Sequence, residues 1–134
     1  MKKKIYIETS IVSYLTGRPS RNLLVTAWQN ITLEWWDNHR NKFDLFTSEV
    51  VLEEAARGNS EAAKKRLAVL QEIPLLELTD SAIHNIDYLL TWNYRHIDNA
   101  ETKPFIRSII TKSGINYPEI CTPRELLGGA YNEG

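Results

Sequence analysis

The chain of 134 residues lacks several features that would assign it to a common class of protein. Its single cysteine, Cys121, excludes an internal disulfide and is typical of a reducing cytoplasm. No apolar run approaches the ~20 residues of a membrane-spanning helix, and the apolar stretch after the N-terminal lysines is too short for a signal peptide. There is no phosphate-binding glycine loop, no G-x-S-x-G motif and no Cys/His zinc pattern. We therefore expect a soluble, cytoplasmic protein without membrane association.

An excess of positive charge is absent as well, because 16 basic and 17 acidic residues give a formal net charge of -1. Proteins that bind nucleic acids are more often basic, so such binding would depend on a local patch or a bound cation. Hydrophobic residues make up 43% of the chain, which is enough for a packed core. The length is that of one domain, which we predict to cover residues 1–127, with residues 128–134 as a C-terminal tail.

Short segments rich in β-branched and aromatic residues alternate with segments of helical periodicity. This alternation predicts an α/β domain with a mostly parallel sheet of about five strands and helices on both faces. The predicted strands are residues 4–8, 43–47, 75–78, 86–91 and 119–122. The predicted helices begin after Thr9 and Ser10, at Asn22, after the N-cap Ser48, at Ser60 and near Phe105, and a final turn follows Pro123.

Polar residues with metal-binding or hydrogen-bonding side chains come directly after three of the predicted strands. In open α/β sheets, sites form beyond the carboxyl ends of the strands. Carboxylates that meet there could bind Mg²⁺ or Mn²⁺, and such an ion can activate water for attack on a phosphodiester. The residues in question are Glu8, Thr9, Ser10, Ser48, Glu49, Glu53, Glu54, Thr91, Trp92, Asn93, His96 and Asp98.

Each of these features also has a purely structural interpretation. A Glu that ends a strand, such as Glu8, is more often a solvated or capping residue, and acidic residues near a helix start are favoured by the helix dipole. Thr91 to Asn93 could form a simple turn. The tryptophans Trp28, Trp35 and Trp36 are more often core or interface residues than a surface for stacking nucleobases. The residues alone therefore leave the metal site and these alternatives open.

Four segments resemble successive sequence blocks of one family. Residues 4–10 (KIYIETS) end a first strand with an acid followed by Thr and Ser. Residues 46–54 (FTSEVVLEE) place an acid, Glu54, six positions after Ser48. Residues 87–93 (DYLLTWN) end a strand in Thr-x-Asn, and residues 120–127 (ICTPRELL) resemble the family's usual ending. In this order, the four blocks resemble PIN domains, the metal-dependent ribonucleases found as toxins in toxin–antitoxin pairs.

The resemblance implies a PIN-like three-layer α/β/α fold and an endoribonuclease that cleaves RNA with a metal-activated water. It implies Mg²⁺ or Mn²⁺ as the cofactor, bound by the catalytic residues Glu8, Glu54 and Asn93. Thr9, Ser10 and Thr91 would hold these ligands in place. A cognate antitoxin protein is the implied partner. The alternative is a PIN fold without catalysis that acts as a binding or interaction module, and a small-molecule α/β enzyme is a weaker third hypothesis.

The family's third block, an Asp that leads a helix of the Asp-Ala-x-x-Ala kind, has no counterpart in this chain. Only seven residues separate the predicted strands that end at Leu78 and begin at Ile86, whereas parallel neighbours need a crossover of a dozen or more residues. Residues 81–84 resemble the last turn of a helix, with Asn85 as a left-handed C-cap. We therefore predict that a segment of roughly thirty residues is missing here. A continuous chain would instead favour the binding module.

Large apolar side chains on the predicted helix that starts at Asn22 also predict self-association. Trp28, Trp35 and Trp36, with Leu24 and Ile31, present more apolar surface than a small sheet can cover. Large exposed apolar patches mark interfaces, and aromatic residues are enriched in them. PIN toxins are commonly dimers, so we expect a homodimer.

Overall fold

Four parallel strands form one sheet in the part of the chain that the structure, a computed structural model, describes: residues 2–93 and 118–127. They are β1 (Lys3–Ile7), β2 (Phe43–Phe46), β3 (Tyr88–Leu90) and β4 (Glu119–Cys121). Their spatial order is β2-β1-β3-β4, and every pair of neighbours is parallel. The predicted α/β class with a parallel sheet is therefore confirmed.

Helices connect and cover these strands. They are α1 (Thr9–Thr16), α2 (Leu23–Asn38), α3 (Glu49–Ala55), α4 (Ser60–Leu70), α5 (Asp80–His84) and α6 (Pro123–Leu126), with a 3₁₀ turn at Arg40–Lys42. Polar side chains cap most of them: Asn22 caps α2, Ser48 caps α3 and Asn59 caps α4 by accepting hydrogen bonds from first-turn N–H groups. The helix predicted through Phe105 lies outside the described residues.

The core lies on both sides of β1, which is an inner strand between β2 and β3. Ile5, Tyr6 and Ile7 are all buried, although successive side chains of a strand point to opposite faces. Both faces of the sheet are therefore covered at its centre, which is compatible with a three-layer arrangement. On α2, Trp35 is fully buried and stacks on Phe43 of β2 with ring centroids 5.9 Å apart.

The strand predicted over residues 75–78 does not form. Thr47, just after β2, makes a single parallel bridge to Leu75, with hydrogen bonds from Thr47 N to Pro74 O (3.0 Å) and from Leu76 N to Thr47 O (2.7 Å). Pro74, which precedes Leu75, has no N–H to donate. The ladder therefore cannot extend from this bridge towards the earlier residues of the two segments. The sheet of the described residues has four strands, and not the five that the sequence predicted.

The chain is continuous where we predicted a missing segment. Thr79 caps α5, since its hydroxyl accepts from Ala82 N (3.1 Å) and its carbonyl accepts from Ile83 N (3.0 Å). This helix therefore has its own beginning. Asn85 ends it in the right-handed region, at φ -87°, and not as a left-handed cap. Because residues 75–78 form no strand of the sheet, α5 and its buried Ile83 suffice to lead the chain into β3. The prediction of a gap is wrong for this structure.

Candidate functional site

Glu8 is buried at the junction between β1 and α1, where it is the N-cap of the helix. Its Oε1 accepts hydrogen bonds from Ser10 N (3.1 Å), the Ser10 hydroxyl (2.6 Å) and the Thr91 hydroxyl (2.6 Å). A carboxylate removed from water is costly unless such donors compensate for it. The sequence predicted Thr9 or Ser10 as the cap, but α1 begins at Thr9, so the capping position falls on Glu8.

Glu54 reaches the same place from α3. Its Oε1 accepts a hydrogen bond of 2.5 Å from the hydroxyl of Thr9, the residue that follows Glu8. Glu54 is partly buried, whereas its neighbour Glu53 is exposed. The orientation of α3 explains this difference, because Val51 lies one turn before Glu54 on the buried side of the helix. The structure thus brings Glu54, and not Glu53, against Thr9, the residue that follows Glu8.

Tyr6 and Ser48 also belong to this polar cluster, and the sequence did not identify Tyr6 as part of it. The Tyr6 hydroxyl lies 2.6 Å from Ser48 Oγ, and both residues are buried. Burial raises the pKa of Tyr6 well above its ordinary value, and the nearby carboxylates of Glu8 and Glu54 raise it further. A hydroxyl-bearing aromatic residue in the middle of a buried strand needs a polar partner, and this requirement was the available signal.

Thr91 and Asn93 join the cluster from the end of β3. The fully buried Thr91 donates to Glu8 and accepts a hydrogen bond from the backbone N of Asn93 (3.0 Å). Asn93 is partly buried. It lies two positions after Thr91, at the edge of the sheet where the sequence predicted it. His96 and Asp98, which follow in the sequence, lie outside the described residues.

The cluster contains the carboxylates of Glu8 and Glu54, and Asn93 is attached to it through its backbone N–H, which donates to Thr91. Among residues 2–93 and 118–127, no group of three or more His, Cys, Asp or Glu side chains could hold a metal ion. Mg²⁺, however, keeps several waters and often takes only one or two protein carboxylates. The chemistry of Glu8, Glu54 and Asn93 fits that requirement. Because three donors already surround Oε1 of Glu8, a cation would have to approach Oε2.

The three tryptophans of α2 lie in three different environments. Trp35 is in the core, so the expectation that it contributes exposed apolar surface is wrong. Trp36 lies under the guanidinium of Arg40, 4.9 Å from its ring centroid. Trp28 stacks on Trp92, the residue between Thr91 and Asn93, with centroids 5.5 Å apart.

Fold and site together define an α/β protein with a parallel sheet and an acidic polar cluster at the carboxyl ends of β1 and β3. No family model matches the chain, and comparisons with curated proteins and with solved structures gave no match. The resemblance to PIN domains therefore depends on the four sequence blocks. Across the described ranges, no helix is both long and apolar enough to cross a membrane.

Alkaline pH should lower the stability of the fold through two buried groups of the sheet, the Tyr6 hydroxyl and the Cys121 thiol. Burial raises the pKa of the Cys121 thiol above its usual 9.0 and that of Tyr6 above its usual 10.0. The unfolded chain would lose these protons first, so stability is intact below about pH 9 and falls as the pH rises further, by about 1.4 kcal/mol per unit for each ionised group.

Urea denaturation at pH 7, 9, 10 and 11 measures this effect. Cys121→Ala should flatten the decline that begins near pH 9, and Tyr6→Phe should flatten the part above pH 10. Identical slopes in the wild type and both variants would show that these groups do not carry the pH dependence.

Proposed function

We propose that this protein is a metal-dependent endoribonuclease of the PIN type, and that Glu8, Glu54 and Asn93 are its metal-binding and catalytic residues. The observation that carries the proposal is the hydrogen bond from Thr9 to Glu54, which joins the end of β1 to α3 and attaches the second acid to the residue that follows the first. The two glutamates are 46 positions apart in the sequence, and these are the acids that the resemblance selects.

The surrounding hydroxyls would keep the ligands in position. Ser10 and Thr91 fix the Glu8 carboxylate through Oε1, Thr9 fixes Glu54, and Thr91 also anchors the backbone at Asn93. Groups that orient the ligands of a metal are commonly as necessary as the ligands themselves. A bound Mg²⁺ or Mn²⁺ would supply the activation of a water molecule for attack on the RNA phosphodiester. It would also offset the net charge of -1 when a polyanion binds.

Incubation of the purified protein with unstructured RNA tests this proposal. We expect endonucleolytic cleavage with Mn²⁺ or Mg²⁺ that leaves 5′-phosphates, and no cleavage in EDTA. A structured RNA of the same length should be cut more slowly. Cleavage that persists in EDTA would contradict a metal-activated water, and the absence of cleavage with either metal would contradict the nuclease.

A second candidate is a binding module of the same fold without catalysis. The continuous chain around α5 favours it, because it leaves no further segment for the family's third block, of which this stretch has only an Asp, Asp80, at the first position of a five-residue helix. The hydrogen bond from Ser10 N that makes Glu8 a helix cap, together with the two hydroxyl donors to the same oxygen, also gives this residue a structural role that needs no metal. Under this candidate, RNA or a protein partner would bind, and divalent ions would change neither binding nor stability.

A homodimer and an antitoxin partner remain proposals that the resemblance implies. The exposed side chains of Leu23 (87%) and Leu24 (57%), at the start of α2, support an apolar contact there. We expect sedimentation velocity to show a dimer at micromolar concentrations, and Leu23→Glu with Leu24→Glu to convert it to a monomer. A wild type that stays monomeric across this range would refute self-association.

A further inference from the structure

Three aromatic residues, Tyr14, Trp28 and Trp92, form a cluster beside the acidic site. Tyr14 meets both indoles edge-on, with centroid distances of 5.9 Å to Trp28 and 6.1 Å to Trp92. The two indoles lie nearly parallel, with an interplanar angle of 23°. All three side chains are partly buried, and none is enclosed in the core as Trp35 is.

Hydrogen bonds attach this aromatic cluster to the acidic site. The backbone N of Trp92 donates to the Ser10 hydroxyl (2.9 Å), the same hydroxyl that donates to Glu8. The indole Nε1 of Trp92 donates to Thr32 Oγ1 (2.8 Å), and that hydroxyl in turn donates to the backbone oxygen of Trp28 (2.6 Å). The Trp92 indole is thereby fixed in orientation relative to the acidic site and to the backbone of α2, and the other two rings pack against it.

From this arrangement we infer that Tyr14, Trp28 and Trp92 bind an unpaired nucleobase of single-stranded RNA next to the acidic site. A base can extend the parallel stack of indoles, because every nucleobase has a π-face and stacks on aromatic side chains with little regard to sequence. Bases within a double helix are already stacked and are not available in this way. The inference rests on the proposed function for its choice of RNA as the ligand.

Base stacking would also provide affinity that the charge of this chain does not. A protein with a net charge of -1 gains little from general attraction to phosphates. Contacts to bases are less sensitive to salt than contacts to phosphates. The aromatic cluster therefore predicts selection of flexible, unpaired RNA and a weak dependence of affinity on salt.

Fluorescence anisotropy in EDTA, with a labelled ten-nucleotide oligouridine and its abasic counterpart, tests the inference without cleavage. The wild type should bind the oligouridine about 10-fold more tightly than the abasic chain. Trp28→Leu should abolish this difference, and Trp28→Phe, which keeps an aromatic face, should restore much of it. Trp36→Leu is the matched control: this residue is on the same helix and partly buried but lies under Arg40, so the difference should remain.

The outcomes separate this inference from the proposed function. Equal affinity of the wild type for both oligomers, or a base preference that survives in folded Trp28→Leu, would overturn the inference even if the protein cleaves RNA. A base preference that depends on Trp28 would support it even if no cleavage occurs with Mn²⁺, and in that case the nuclease proposal alone would fail. Thermal unfolding of each variant establishes that it is folded. If Trp28→Leu is not folded, Tyr14→Leu replaces it: loss of this ring should also reduce the preference for the oligouridine, and an unchanged preference would overturn the inference.

Discussion

Replacement of Glu54 by Gln is expected to reduce metal-dependent RNA cleavage by at least about 100-fold, because substitutions of groups that only orient metal ligands already cost 10- to 100-fold. The same substitution at Glu53 should leave the rate within about twofold of the wild type. Glu53 is adjacent on the same short helix and has the same charge, but its side chain is exposed. Initial rates with Mn²⁺ and a single-stranded RNA provide the measurement.

This pair of variants separates the local chemistry from the general charge of α3. Both lose one negative charge, so both would alter a nonspecific electrostatic effect on RNA binding to a similar degree. Equal loss of activity in the two variants would contradict a specific role of Glu54. Full activity of Glu54→Gln would remove Glu54 from the site, even though Thr9 contacts it.

Replacement of Glu8 by Ala is expected to destabilise the fold by about 3 kcal/mol as well as to abolish cleavage. The change removes the N-cap of α1, which is commonly worth about 1 kcal/mol. It also leaves buried donors on Ser10 and Thr91 without their acceptor, at about 1 kcal/mol or more each. For a chain of this size, the midpoint of thermal unfolding should fall by roughly 10 °C.

Glu8→Gln is the informative companion, because a carboxamide oxygen can still accept these hydrogen bonds. We expect it to recover about half or more of the lost stability and none of the cleavage. Thermal and urea unfolding in EDTA report the structural part, and the rate with Mn²⁺ reports the chemical part. If Glu8→Gln retained wild-type cleavage, Glu8 would be a helix cap only, as the second candidate function requires.

The positions of the acids could be predicted from the sequence because they depend on local order along the chain. A strand that ends at Ile7 and a helix capped by Ser48 both direct the following residues to the carboxyl edge of a parallel sheet. The resemblance to PIN domains, through its interval of six residues after Ser48, then selects Glu54, and the structure has this acid on the inner side of α3. Local order alone does not identify Thr91 as a partner of Glu8, since it is 83 positions away, and only the resemblance named Ser10 and Thr91 among the residues that hold the ligands.

The errors concern features that depend on neighbours in space. Residues 75–78 have the composition of a strand, but a strand needs a partner, and within residues 2–93 and 118–127 only Thr47 pairs with this segment. Trp28 and Trp35 are seven positions apart and therefore lie on one stripe of α2. Their spacing therefore predicts the same environment for both. In the structure, however, Trp35 packs against Phe43, and Trp28 packs against Tyr14 and Trp92. The spacing within a helix does not reveal which part of it overlies the sheet.

Anomalous diffraction from crystals grown with Mn²⁺ tests the central claim most directly, because it locates the ion without reference to activity. We expect one anomalous peak within coordination distance, about 2.0–2.5 Å, of carboxylate oxygens of both Glu8 and Glu54, and no such peak in crystals of Glu54→Gln. Well-ordered Glu8 and Glu54 side chains with no peak beside them, at a Mn²⁺ concentration that supports the assay, would contradict it.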